Sequence, residues 1–351
     1  MRCYCVTEFG RPLVAMDCDL PEPTGDEVLV RVKGAGVCHS DLHLWEGGYD
    51  LGNGRILSLK DRGTKLPLAL GHEIAGEVIA AGPQATRIEA GRNYLVYPWI
   101  GCGECSVCRA GNENLCAKAQ FLGVSRHGGY AEHVLVPRSR YLLDLGDIDP
   151  AEAAPYACSG VTTYSALKKA GRSLYEKPIV IIGAGGLGLM CLAILKGMGG
   201  AGAIVVELDP AKREAALKAG AKAAIDGASP DAAAQIAAIL GDQASVAIDL
   251  VGAPATASLG FDCLEKGGKL IIVGLFGGSA PWPLPFIPMR GITIAGSLVG
   301  NLTELTELMA LVRAGKVPPI PVTRMPLSAA NDALTMLRDG KVVGRTVLTP
   351  A

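Results

Sequence analysis

At 351 residues the chain is about twice the usual domain size, and 49% of it is hydrophobic, so two substantial cores are expected. A net charge of -1, with Lys and Arg scattered, argues against nucleic acid or an anionic membrane as the main partner and favours a small uncharged ligand. The opening "MRCYCVTEFGRPLVAMD" lacks the apolar core of a signal peptide, which predicts a cytoplasmic protein. In that reducing compartment its 11 cysteines point first to metal ligation or free buried thiols.

From residue 1 to about 155 the text is short alternating or β-branched runs cut by Gly and Pro, such as "DEVLVRVKGAGVC", "EIAGEVIAAG" and "AEHVLVP". These predict β-rich barrel or sandwich material. Embedded in it are "GVCHSDLH" at 36–43 and "LGHEIAGEV" at 70–78, and "YACSGVTTY" follows at 156–164. Taken singly, Cys38, His72 and Cys158 each read more readily as ordinary core residues than as ligands. Together they spell a Cys2His zinc site, which keeps its fourth position for water or substrate.

The stretch "GCGECSVCRAGNENLC" at 101–116 sets Cys102, Cys105, Cys108 and Cys116 in a C-x2-C-x2-C-x7-C spacing. Four soft donors in one loop form the closed tetrahedral shell of structural zinc, with no position left for substrate, so this lobe is expected to act as a clamp. An iron–sulfur cluster uses similar spacings, and metal-free thiols are the plain alternative. The segment 47–67, "GGYDLGNGRILSLKDRGTKLP", lies between two site motifs. It reads as a pocket entrance, an oligomer contact or a surface insertion.

From about 178 the rhythm changes. Buried-strand runs "PIVIIG", "AIVVEL", "VAIDLVG", "KLIIVGLF" and "ITIAGSL" alternate with helical text such as "PAKREAALKAG", predicting parallel α/β structure. The longest apolar stretch, 178–195, has its glycines where a strand would turn into a helix, which argues against a membrane span. "IVIIGAGGLGLM" holds Gly183, Gly185 and Gly188 in G-x-G-x-x-G spacing, and Glu207 ends the next strand, where a carboxylate accepts hydrogen bonds from an adenosine ribose. That carboxylate would repel a 2′-phosphate and so favours NAD, although Arg213, close in sequence, leaves NADP open. After about 294 a helical stretch, "LTELTELMALVRAG", leads to a closing "RTVL" strand that suggests a return to the first domain.

"GHEIAGEV", the four-cysteine lobe, "CSGVTTYSAL", "GAGGLGLM" and "VVGRTVL" occur in the order in which they stand in the zinc-dependent medium-chain alcohol dehydrogenases. The chain resembles that family over essentially its whole length, and most closely its microbial NAD-dependent members. The resemblance implies an α/β fold: a GroES-like β-rich catalytic domain (1–155), a Rossmann doubly wound parallel sheet (156–293) and a return segment (294–351) completing the catalytic domain. It implies two zinc ions per chain, with Cys38, His72 and Cys158 holding the catalytic one. Glu73 matches a glutamate that approaches the metal when water exchanges. Asp41 matches the carboxylate that orients the ligand histidine, a role the metal's surroundings also demand. Ser40 and His43 match the two ends of a proton relay, and His39 and Arg345 match pyrophosphate contacts. Lys212 stands where a lysine joins Glu207 at the ribose. Gly186, Leu187, Val273 and Leu298 complete the implied cofactor set. Glu207 replaces the commoner aspartate.

The implied activity is reversible oxidation of primary or secondary alcohols, with zinc lowering the substrate hydroxyl's pKa and hydride passing to NAD. A dehydrogenase of a specialised polyol or aromatic alcohol is the neighbouring reading. A zinc-free enone or quinone reductase fails on the ligands, and a zinc-binding interaction module that kept the nucleotide fold as scaffold is a rival from another class. Trp45, Trp99 and Leu298 read either as an apolar pocket lining or as core. The partners expected are an alcohol or carbonyl substrate and further copies of the chain in a homotetramer.

Overall fold

The computed structural model describes residues 1–350. Two sheets carry the molecule. In the first, the strand Val28–Gly36 is central, pairing antiparallel with Glu73–Ala81, His133–Val136 and the C-terminal Arg345–Thr349. The alternation predicted in "VLVRVK" is visible there, since Arg31 and Lys33 face solvent while Val30 and Val32 are buried. The closing strand thus does return to the first sheet, where Val347 sits opposite Gly36.

The second sheet is six-stranded and parallel throughout. Its spatial order is Ala223–Asp226, Ala203–Glu207, Ile179–Ile182, Ala244–Asp249, Leu264–Ile272, Thr293–Gly296. That is the doubly wound order with its reversal beside Ile179–Ile182, where such sheets bind dinucleotides at the carboxyl ends of the strands. The apolar stretch at 178–195 resolves as expected into a strand, Ile179–Ile182, and a helix, Gly186–Gly197. No helix among the described residues is long and apolar enough to cross a membrane.

Two expectations need correction. The division at 293/294 falls on the first residue of Thr293–Gly296, which belongs to the nucleotide-binding sheet because it hydrogen-bonds along Leu264–Ile272. The helix Leu302–Arg313 then packs on Ser159–Ala170. Nor are the cysteines all metal ligands or free thiols, since Cys3 and Cys18 form a disulfide with Cα atoms 6.6 Å apart. Antiparallel pairing of Arg2 with Asp17 and Cys3 with Met16 brings these two residues together. Cys5, Cys191 and Cys263 are free and buried, as expected.

Candidate active site and metal centres

Cys38, His72 and Cys158 arrive from three places: the end of the central strand, the loop before Glu73–Ala81, and the start of the helix Ser159–Ala170. The structure brings them together, all buried, with one donor atom from each within 4.8 Å of the others. The sulfurs of Cys38 and Cys158 are 4.0 Å apart. His72 Nε2 is buried with no hydrogen-bond partner in the protein. A buried imidazole nitrogen left bare is costly unless something else meets it, and a cation between two thiolates would do so.

Asp41 ties this set to its scaffold. One carboxylate oxygen accepts from the Cys38 backbone N–H (2.9 Å) and the Tyr130 hydroxyl (3.2 Å); the other accepts from Gly71 N–H at 3.2 Å. That second oxygen also lies 3.1 Å from His72 Nδ1, near enough to hold the ring although not aligned as a hydrogen bond. The bond to Cys38 also caps the helix His39–Glu46, so the helix start fixes both a sulfur and a histidine. Burial disfavours charge on His72, but the Asp41 carboxylate and then Cys38 outweigh it and raise its pKa well above the ordinary value. The thiol pair divides its protons: the contact with Cys158 drives Cys38 well down, and the same contact drives Cys158 well up. Binding of a cation would displace that remaining proton, because only the thiolates ligate.

Glu73 is fully buried beside His72 and is matched by Arg345, itself 2% exposed. Arg345 Nε donates to Glu73 Oε2 at 2.8 Å, and Arg345 Nη2 donates to Glu73 Oε1. Burial still raises the Glu73 pKa despite that cation. Gly36 makes the arrangement possible, because a Cβ there would lie 1.9 Å from Glu73 Oε2. Arg345 also faces the second domain: a Cβ on Gly186 would come to 3.1 Å of its Nη1. One guanidinium therefore stands between the metal-side glutamate and the glycine turn.

That turn has the expected geometry. Gly183 takes φ +99°, and a Cβ on Gly188 would meet Gly183 O at 2.1 Å. The helix Gly186–Gly197 starts from it, its N-terminus suited to a pyrophosphate. Glu207 reaches back, accepting from Ala184 N–H at 2.7 Å with one oxygen and from Leu208 N–H at 2.8 Å with the other. The carboxylate is thus fixed beside the turn. Arg213 is engaged elsewhere, donating to the carbonyls of Glu207 (2.8 Å) and Leu208 (2.7 Å) and pairing with Asp226 at 3.4 Å. Lys212 Nζ lies 4.0 Å from Asp209 Oδ2 rather than on Glu207. Leu187 is half-buried in the same turn. Buried Val273 and exposed Leu298 follow the carboxyl ends of the fifth and sixth strands.

His39, Ser40 and His43 share the helix His39–Glu46. Burial lowers the pKa of His43, and desolvation in the cleft lowers that of His39. Tyr49, which no motif in the sequence pointed to, packs its ring 4.7 Å from His43. Burial pushes its hydroxyl up to about 12. Tyr49 lies in the first strand of the hairpin Gly48–Asp50 and Ile56–Ser58, whose turn end accepts from Gly278 N–H at Asp50 O (3.1 Å) across the domain boundary. The 47–67 segment therefore bridges the cleft. Trp99 lies beside the metal set, its ring 5.2 Å from His72. Trp45 instead donates to Arg11 O and packs under Arg338, which places it in the core.

The four lobe cysteines also converge within 4.8 Å. Cys102 and Cys108 sulfurs are 3.9 Å apart, as are those of Cys105 and Cys116. Backbone N–H groups of Cys108 and Lys118 point at sulfurs (3.4 and 3.3 Å). Such groups, at Glu104 and Cys105, also lower the Cys102 thiol to about 6, so its thiolate forms readily.

Residues 24–147 match the model of the alcohol dehydrogenase GroES-like domain, and 186–314 that of the zinc-binding dehydrogenases. The chain is 42% identical to an NAD-dependent alcohol dehydrogenase of Sulfurisphaera tokodaii and 40% identical to one of Saccharolobus solfataricus, covering 100% of both chains in each case. Among solved structures it is similar to the alcohol dehydrogenase of Aeropyrum pernix, with 35% identity, a TM-score of 0.90 and full coverage of both chains.

Proposed function

Since the chain belongs to the zinc-dependent medium-chain alcohol dehydrogenases and is an NAD-dependent alcohol oxidoreductase, we propose how its residues divide that reaction. Cys38, His72 and Cys158 hold the catalytic zinc, and Cys102, Cys105, Cys108 and Cys116 the structural one. The observation that carries this reading is the three-donor convergence around the bare His72 Nε2. When bound, zinc supplies Lewis acidity that makes a substrate hydroxyl ionise near neutral pH. The chain does the rest. Asp41 orients His72, and Glu73, held by Arg345, waits beside the ligand set. Ser40 receives the hydroxyl proton and His43 passes it to solvent, its lowered pKa keeping it a neutral acceptor. Gly183, Gly185, Gly186, Leu187 and Gly188 receive the pyrophosphate, with Arg345 as a cation and His39 as an N–H donor beside it. Glu207 and Lys212 take the adenosine ribose, and Val273 and Leu298 flank the nicotinamide.

The substrates are primary or secondary alcohols, with Trp99 giving the metal side of the pocket an apolar wall. We place the second domain junction after Leu302–Arg313, keeping 1–155 and the C-terminal strand as the catalytic domain. We also propose a homotetramer. Exposed Leu284, Phe286 and Met289 lie in the segment that leads directly into Thr293–Gly296, the edge strand of the sheet, and an apolar edge of this kind is one that a second copy covers. The Cys3–Cys18 disulfide weighs against a reducing compartment.

Metal analysis alongside kinetics tests the assignment. Two zinc ions per chain and NAD-dependent alcohol oxidation are expected. Cys38→Ser should leave one zinc, abolish turnover and keep NADH binding. Loss of NADH binding in a folded variant, or undiminished turnover, would reject it.

A further inference from the structure

The four-cysteine lobe does more than close its own loop. Between its third and fourth cysteines, Asn114 is 7% exposed and donates through Nδ2 to Leu298 O at 2.8 Å. Asn112, two residues earlier, accepts from Asn301 Nδ2 at 3.2 Å. Tyr97, fully buried just before the lobe, donates its hydroxyl to Gly300 O at 2.9 Å. Three side chains of the catalytic domain thus grip 298–301, the segment that leaves the sixth strand of the nucleotide-binding sheet.

The gripped segment is held in a conformation it would not adopt alone. Val299 has φ +41° and is 8% exposed, and a β-branched residue there persists only when its surroundings over-determine it. The other side is equally confined, because a Cβ on Gly300 would lie 2.8 Å from Val161 O. Asn301 caps the helix Leu302–Arg313, accepting from Glu304 N–H at 2.9 Å. The lobe's own footing is firm: Glu113 accepts from Gly101 N–H (3.1 Å) and the Tyr141 hydroxyl (2.5 Å) and pairs with Arg140. The Tyr141 ring stacks on Tyr97 with centroids 6.0 Å apart.

We propose that the four-cysteine lobe is a strut that sets the nicotinamide end of the cofactor site, with Asn114 and Tyr97 as positioning residues acting through the carbonyls of Leu298 and Gly300. This rests on the reading of Leu298 as a nicotinamide neighbour. Ligands bind beyond the carboxyl ends of parallel strands, and 298–300 lies there beside Val273, with Ser297 N–H donating to Ile272 O at 2.9 Å.

Calorimetric titration of the zinc-loaded enzyme with NADH and with ADP-ribose, which lacks the nicotinamide, tests the strut. Asn114→Leu and Tyr97→Phe each remove one hydrogen bond to the segment and should weaken NADH by roughly fivefold, the effect of about one hydrogen bond. ADP-ribose affinity and the content of two zinc ions should not change. Tyr97→Phe, the milder substitution, carries the test if Asn114→Leu fails to fold. Equal weakening of both ligands, or no change in either, overturns the proposal. Gly300→Ala, which moves the segment directly, separates the premise from the strut. If it weakens NADH selectively while the other two variants do not, the strut falls and the cofactor reading stands. If none of the three is selective, both fall.

Discussion

The carboxylate of Asp41 is bound by two backbone N–H groups and a tyrosine hydroxyl while touching His72, so three parts of the chain, at 38–41, 71–72 and 130, meet on one side chain. Side chains constrained in this way orient a metal ligand without binding the metal. Glu207 is fixed comparably, and this bears on cofactor choice. Glu207→Ala should lower the preference for NAD over NADP by about tenfold, the scale of a charge-assisted hydrogen bond. An unchanged ratio of kcat/KM values would count against the ribose role. His43 permits a test by pH. It must be neutral to accept a proton, and burial lowers its pKa, so protonation stops the relay only below the ordinary histidine value of about 6.5. The acid limb of kcat/KM for alcohol oxidation should therefore lie below that value and disappear in His43→Gln. A limb above it, or one that His43→Gln leaves in place, would remove His43 from the relay. His43 was legible from its motif. Tyr49 and Tyr130, which pack on His43 and Asp41, were not, because an aromatic ring alone in β-rich text carries no spacing signal.

Among elements, the four-cysteine lobe is the most local, with every donor within 101–116 and its backbone N–H groups already turned toward sulfur. Cys105→Ala should leave one zinc per chain and lower the unfolding temperature by several degrees, at ~2–4 °C per kcal/mol lost. A variant with normal zinc content and stability would refute the clamp. The glycine turn is similarly local, since strand, turn and helix are contiguous and its close contacts lie within a few residues of one another. The hairpin in 47–67 shows the opposite case. Its residues specify two short strands, but its tie to Gly278 depends on a loop more than 200 positions away, which periodicity does not report.

At the scale of the whole molecule, the domains are joined through contacts neither could make alone. Arg345 stands between Glu73 and the glycine turn, Tyr97 and Asn114 hold 298–300, and Asp50 meets Gly278. The proposed assembly belongs here too. Replacing Leu284 and Met289, 74% and 71% exposed, with lysine should shift the particle to a smaller mass in sedimentation at unchanged fold. An unshifted mass would move the interface elsewhere.

The sequence by itself determined what is written in short spacing: the lobe, the glycine turn, the alternation of strands and helices, and the ligand residue types. Each of these follows from side-chain chemistry or backbone periodicity over a few residues. Only the tertiary structure decided that Cys38, His72 and Cys158 share one point, that Arg213 is engaged by backbone carbonyls and Asp226, that Thr293–Gly296 belongs to the nucleotide-binding sheet, and that Cys3 meets Cys18. Those depend on strand register and domain packing, which sum weak preferences over the whole chain and leave no mark at any single position.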